Sequence, residues 1–257
     1  MSCRRFARVQ RFGATGLALA AIATAVLAQA QPQAPPPPPC AVPAELMAAA
    51  IGLPHVAERV RARQPVRIVA IGGGSTAGAA AGGGDLAYPQ RLQLALTHAF
   101  PEIAVSVVNR GVARQSAQEM VERFSQDVIA ADPVLVVWET GISDAVRGTG
   151  TDDFAAALQT GIDELKRRAI DVILVDMQFS RKATALIDFE RYRDTLLHVG
   201  EINDVYLFRR FQMMRYWSEQ RVFAFDEVNA DERARLAARV YDCIGRNLAE
   251  VIGQAVR

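Results

Sequence analysis

Short, nearly unbroken apolar runs alternate along the chain with longer stretches of helical period. Residues 66–71 (VRIVAI), 103–109 (IAVSVVN), 134–139 (VLVVWE), 170–177 (IDVILVDM) and 205–208 (VYLF) are rich in β-branched side chains and read as five strands. Residues 88–99, 116–130, 152–168 and 186–199 read as the helices between them, and a last helix spans 231–256. In the stretch 152–168, Phe154, Leu158, Ile162 and Leu165 recur at helical spacing on one face. Residues 208–217 (FRRFQMMRYW) read either as an amphipathic helix on the core or as the lining of a groove.

Strands apolar on both faces, alternating with helices, belong to a parallel sheet covered on each side. The expected fold is therefore α/β: a three-layer α/β/α sandwich on a parallel sheet of about five strands. In such sheets ligands bind at the carboxyl ends of the strands. The residues that follow each strand are where chemistry is to be sought.

The amino terminus follows a different pattern. Arg4, Arg5, Arg8 and Arg11 precede an uncharged stretch, residues 13–28, and then Ala28-Gln29-Ala30. A basic start, an apolar middle and a small-x-small end read as a secretory signal over residues 1–30. The apolar run is shorter than the ~20 residues a spanning helix needs, so no stable membrane span is expected after cleavage. Residues 31–43 hold seven of the twelve prolines and read as an extended linker, with the domain at 44–257. The expected location is the periplasm or the exterior.

Composition then narrows the classes. Of 257 residues, 51% are hydrophobic, which excludes global disorder. The formal charge of +1 falls to −3 without residues 1–30, because 29 basic residues become 25 against 28 acidic ones. That balance gives no footprint for nucleic acid. Signal removal takes Cys3 and leaves Cys40 and Cys243. In an exported chain two cysteines invite one disulfide, the alternative being two free buried thiols. No spacing fits a metal site, and neither metal nor cofactor is expected.

Three strand ends carry glycine turns. Gly72-Gly73-Gly74-Ser75 follows the first strand, Asn109-Arg110-Gly111 the second, and Gly141-Ile142-Ser143-Asp144 the third. Each alone reads as an ordinary strand exit. Together they bring a serine, backbone N–H groups and polar side chains to one edge, which is what acyl transfer requires.

These blocks resemble those of the SGNH/GDSL hydrolase superfamily over essentially the whole domain. The resemblance implies a flavodoxin-like fold and hydrolysis of acyl esters, often on carbohydrates or lipids. It assigns the nucleophile to Ser75, an oxyanion donor to Gly111, and the third block to Ser143 and Asp144. The family's closing D-x-x-H is matched by Asp226 and by Asn229 at the histidine position. Gly74 stands in the family's Asp position and Ser143 in its Asn position.

Without the imidazole, Ser75 lacks an evident general base. His98 and His198 fall near the far ends of helices that run away from the active edge, with His198 roughly 18 Å down its helix, and His55 precedes the first strand. Asp144 and Asp226 are the carboxylates left to assist, unless Asp226 caps a turn and Asp144 bonds its own loop. Two functions follow. One is an ester hydrolase acting through Ser75 on a small-molecule or glycan acyl ester. The other is a non-catalytic relative that binds an acylated glycan, lipid or protein partner in the same cleft.

Overall fold

A computed structural model describes residues 40–48, 51–225 and 229–256. In chain order the elements are α1 (Pro54–Arg61), β1 (Val66–Gly72), α2 (Gly74–Ala77), α3 (Tyr88–Ala99), β2 (Val105–Gly111), α4 (Ala117–Glu122), α5 (Phe124–Asp127) and β3 (Leu135–Glu139). They continue with α6 (Ile142–Arg147), α7 (Thr151–Lys166), β4 (Asp171–Val175), α8 (Arg181–Thr184), α9 (Glu190–Ile202), β5 (Tyr206–Phe208), α10 (Arg210–Glu219) and α11 (Ala230–Ala255). The five strands form one parallel sheet in the order β2-β1-β3-β4-β5. The sandwich expected from the apolar pattern is the fold observed.

Strand alternation divides the core in two. Ile68, Val137, Ile173 and Phe208 point to one face, where α3, α10 and α11 cover them. Val69, Val136, Leu174 and Leu207 point to the other, beneath α4, α5, α7 and α9. Each strand is thus apolar on both sides because each side has its own layer of helices. The stretch 208–217 is the start of α10, whose Phe211, Met213, Met214 and Trp217 are buried in the core.

Two helices differ from the sequence pattern. Residues 116–130 divide into α4, α5 and a single 3₁₀ turn. The break falls at Arg123, whose guanidinium reaches the Arg110 carbonyl, Gln115 and Asp127. Ala117, Met120, Phe124 and Val128 still face the core, so the apolar spacing survives the break. The helix expected from residue 186 starts only at Glu190, after the short α8.

α1 was not evident in the sequence. Its first turn is held from a distance: buried Asp171, at the start of β4, accepts from the Val56 N–H at 2.9 Å and lies 2.7 Å from His55 Nδ1. Cys40 and Cys243 form a disulfide that ties the first described residue to α11. Trp217 Nε1 donates to the Ala41 carbonyl and Asn247 to that of Cys40, fixing the same segment. Among the described residues no helix is long and apolar enough to cross a membrane.

Candidate active site

Ser75 lies in the first turn of α2, directly beyond β1, and is 7% exposed. The turn is built on close backbone contact. A Cβ on Gly72 would fall 2.2 Å from Thr76 Oγ1, and one on Gly111 would fall 2.2 Å from the Ala77 nitrogen. These two glycines pair across β1 and β2, so the strand ends press against the helix that carries the serine. Asn109 closes the contact, donating to the Thr76 carbonyl at 2.7 Å and accepting from the Gly111 N–H at 2.9 Å.

Beneath the turn sits Glu139, the last residue of β3. One of its oxygens accepts from the Gly73 N–H at 3.0 Å and from the Thr76 hydroxyl at 2.8 Å. The other meets Arg210 at 3.1 Å. Both side chains are almost wholly sealed from water, so each charge is balanced by the other. Tyr88 completes the group, its hydroxyl 3.0 Å from Thr76, and burial pushes its phenol well above its ordinary range.

A cleft of about 490 Å³ opens over Ser75. Its walls include Ala79, Ala80, Ala113, Ile142 and Val146, with Ser143, Gln178 and Tyr241 as polar neighbours and Arg114 and Arg147 as cations. The Ser75 hydroxyl donates to Gln178 Oε1 at 3.2 Å. Tyr241 of α11 lines the same cleft. Burial raises the Tyr241 pKa, while Arg210 and the Ser75 side chain work against that rise. The phenol is therefore protonated at neutral pH. Ser75 thus faces an amide oxygen, which takes no proton in ordinary acid–base chemistry, and a neutral phenol.

The other residues singled out in the sequence divide. Ser143, in the first turn of α6, lines the cleft, and its hydroxyl has no hydrogen-bond partner among the described residues. The Ser75 N–H belongs to the first turn of α2, where N–H groups lack helical partners. Gly111 does not present a free donor, because its N–H is bonded to Asn109. In this arrangement the Gly111 backbone packs closely under α2.

Asp144 faces away from Ser75. Both carboxylate oxygens reach the Ala117 N–H, at 3.1 and 3.3 Å, and tie the loop after β2 to α6. Burial raises its pKa and that backbone bond opposes the rise. In this arrangement Asp144 braces the loop after β2. Asn229 is an exposed N-cap of α11 in a capping box with Glu232, and it does not line the cleft. Asp226 lies outside the described residues. His98 and His198 are exposed, and His55 is tied to Asp171.

Glu139, Gln178, Arg210, Tyr241 and Arg114 were not marked as site residues by the sequence. A carboxylate ending the otherwise apolar run VLVVWE was the one local signal among them. Among the described residues no group of three or more His, Cys, Asp or Glu side chains is arranged to hold a metal ion.

This arrangement agrees with comparison to known proteins. The family model of the non-GDSL lipase-like family matches residues 39–257, and the chain belongs to that family. No curated protein gave a match. Among solved structures, an acetyl xylan esterase from Geobacillus stearothermophilus is similar at 18% identity and a TM-score of 0.60, covering 74% of this chain and 97% of that one. A two-domain esterase active on acetylated mannans is similar at 17% identity and a TM-score of 0.61. That match covers 82% of this chain and 57% of the esterase, so this chain spans little more than half of it. An SGNH-hydrolase family esterase is similar at 23% identity and a TM-score of 0.52, covering 64% of this chain and 86% of that one. The common ground with these three is the fold.

Proposed function

We propose that the protein binds the acyl ester of a small molecule or glycan in the Ser75 cleft and does not turn it over through an acid–base triad. The observation that carries this reading is the 3.2 Å bond from the Ser75 hydroxyl to the Gln178 amide oxygen. A serine becomes a nucleophile when its proton has a base to go to. Among the described residues Glu139 is the carboxylate lining the cleft, and its oxygens are engaged by Gly73, Thr76 and Arg210. What remains is an apolar cleft with a hydroxyl donor, suited to holding an ester. Esterases on acetylated xylan and mannan among the fold's relatives support acylated sugars as the ligand class.

A second reading rests on Tyr241. It lines the same cleft as Ser75 and would offer a proton acceptor once the phenol ionises, which would make the protein a slow ester hydrolase at alkaline pH. A fluorophosphonate probe applied between about pH 5 and 9 separates the two. We expect no adduct on Ser75 near neutral pH, with binding of acetylated oligosaccharides intact in folded protein. Rapid labelling of Ser75 at neutral pH, abolished in Ser75→Ala, would overturn the binding-only reading.

We further propose export, with the signal at residues 1–30, the linker at 31–43 and the domain at 44–257. The Cys40–Cys243 disulfide supports an oxidising compartment, periplasmic or external. Amino-terminal sequencing of protein recovered from outside the cytoplasm tests this, and an intact residue 1 would contradict it.

A further inference from the structure

The charges that the described residues place around the Ser75 cleft do not cancel. Among those residues three ionised side chains line it: Glu139, Arg147 and Arg114. Glu139 is balanced by Arg210 at 3.1 Å, and Arg147 by Glu119 at 3.0 Å. The Arg114 guanidinium has neither a hydrogen bond nor an ion pair among the described residues. Arg110 and Arg123, in the same region, both pair with Asp127. Among the described residues the cleft therefore carries one uncompensated positive charge, at an exposed residue of its rim.

The backbone fixes where that charge stands. Arg114 has φ +68°, a conformation that side-chain-bearing residues rarely adopt and that glycine would take freely. Arg147 holds it there by donating to the Arg114 carbonyl while its other nitrogen grips Glu119. Two residues on, Ser116 and Glu119 form a capping box that anchors the same loop to α4. An unpaired arginine kept in a strained conformation at a cleft mouth is an outlier of the kind found at ligand sites.

Taking the binding reading above as its basis, we infer that the ester held by this cleft carries an anionic group, which Arg114 recognises. The ligand class is an acyl ester of a molecule bearing a carboxylate, sulfate or phosphate, such as an acylated acidic sugar. The apolar walls take the acyl part and Ser75 faces the ester. The guanidinium meets the anion through a charge-assisted, forked contact.

A matched set of aryl acetates tests this by titration calorimetry at low salt: para-acetoxybenzamide as the neutral member, then para-acetoxybenzoate, para-acetoxybenzenesulfonate and para-acetoxyphenyl phosphate. We expect at least one anionic member to bind about tenfold more tightly than the amide, and the one that does so identifies the anion. The preference should shrink in high salt, disappear in Arg114→Gln and partly return in Arg114→Lys. Melting curves establish that the variants fold. Equal binding of neutral and anionic members, or a preference that survives Arg114→Gln, overturns this inference and leaves the binding reading standing. Failure of every member to bind overturns both.

Discussion

Glu139 and Arg210 meet at 3.1 Å beneath the Ser75 turn, in a space almost closed to water. The carboxylate is also the acceptor for Gly73 and Thr76, so one ion pair both neutralises a buried charge and sets the path of the chain into α2. Removing one partner leaves the other charge buried and unbalanced. Glu139→Gln should lower unfolding free energy by about 3–5 kcal/mol in urea titration. The double change Glu139→Gln with Arg210→Met should cost less than the sum of its single changes. A loss below about 1 kcal/mol in Glu139→Gln would show that the pair does not brace the turn.

Gly111, which ends β2, and Gly74, in the Ser75 turn, should respond differently to a methyl group. A Cβ on Gly111 would lie 2.2 Å from the Ala77 nitrogen and 2.5 Å from the Thr76 carbonyl carbon, both backbone atoms that cannot swing aside. Gly111→Ala should destabilise by about 3 kcal/mol and weaken ester binding as α2 shifts. On Gly74 the nearest atoms are the Ala113 and Ala79 methyls at 3.9 Å, ordinary contact distance. Gly74→Ala should stay within about 0.5 kcal/mol of the parent. Paired melting curves decide it, and equal effects would contradict the packing described.

Asp176, at the carboxyl end of β4, predicts a pH dependence. Burial raises its pKa from 3.8 to about 6, against the opposing pull of the Phe211 N–H, Arg210 and Arg193. The folded protein then binds the Asp176 proton more tightly than the unfolded chain does. Its contribution to stability is complete below about pH 4 and is lost as pH rises through about 6, a change on the order of 3 kcal/mol. Asp176→Asn should remove this part of the slope in urea midpoints measured from pH 4 to 7. An unchanged slope would assign the dependence to other groups.

The Cys40–Cys243 bond closes a loop of 203 residues in sequence separation. Cross-linking so long a loop restricts the unfolded chain, and the entropy model gives about 4–5 kcal/mol. Cys243→Ser, or reductant added to the parent, should lower the unfolding free energy by an amount approaching this. Little loss in both would place the anchoring of the amino-terminal segment in Trp217 and Asn247 instead.

Much of the fold was legible because its signals are local. Residues 88–99 read as a helix and form one, with Pro89 at the start of the first turn. Strand positions followed from apolar runs, since β3, β4 and β5 are buried throughout and β1 nearly so, with only the edge strand β2 half-buried. The division of 116–130 was hidden because its core-facing residues keep helical spacing across Arg123. The site was legible only at its serine and glycine turns. Gln178, Arg210 and Tyr241 join Ser75 through tertiary packing, from positions with no spacing in common. Asn229 shows two signals in competition. Its place in D-x-x-N matched a catalytic block, but Asn229 with Glu232 is also the N-x-x-E pattern of a capping box, and the local pattern describes what the side chain does.

The Asp171 carboxylate that caps α1 has a bearing on how the chain assembles. α1 has eight residues, too few to persist alone in water, and its initial N–H groups lack a local side-chain acceptor. The acceptor that Val56 uses lies 115 residues further along. During synthesis α1 therefore leaves the ribosome well before the residue that completes it. Its amino-terminal turn settles only when β4 has joined the sheet, which makes the first α-helix among the described residues one of the later ones to become fixed.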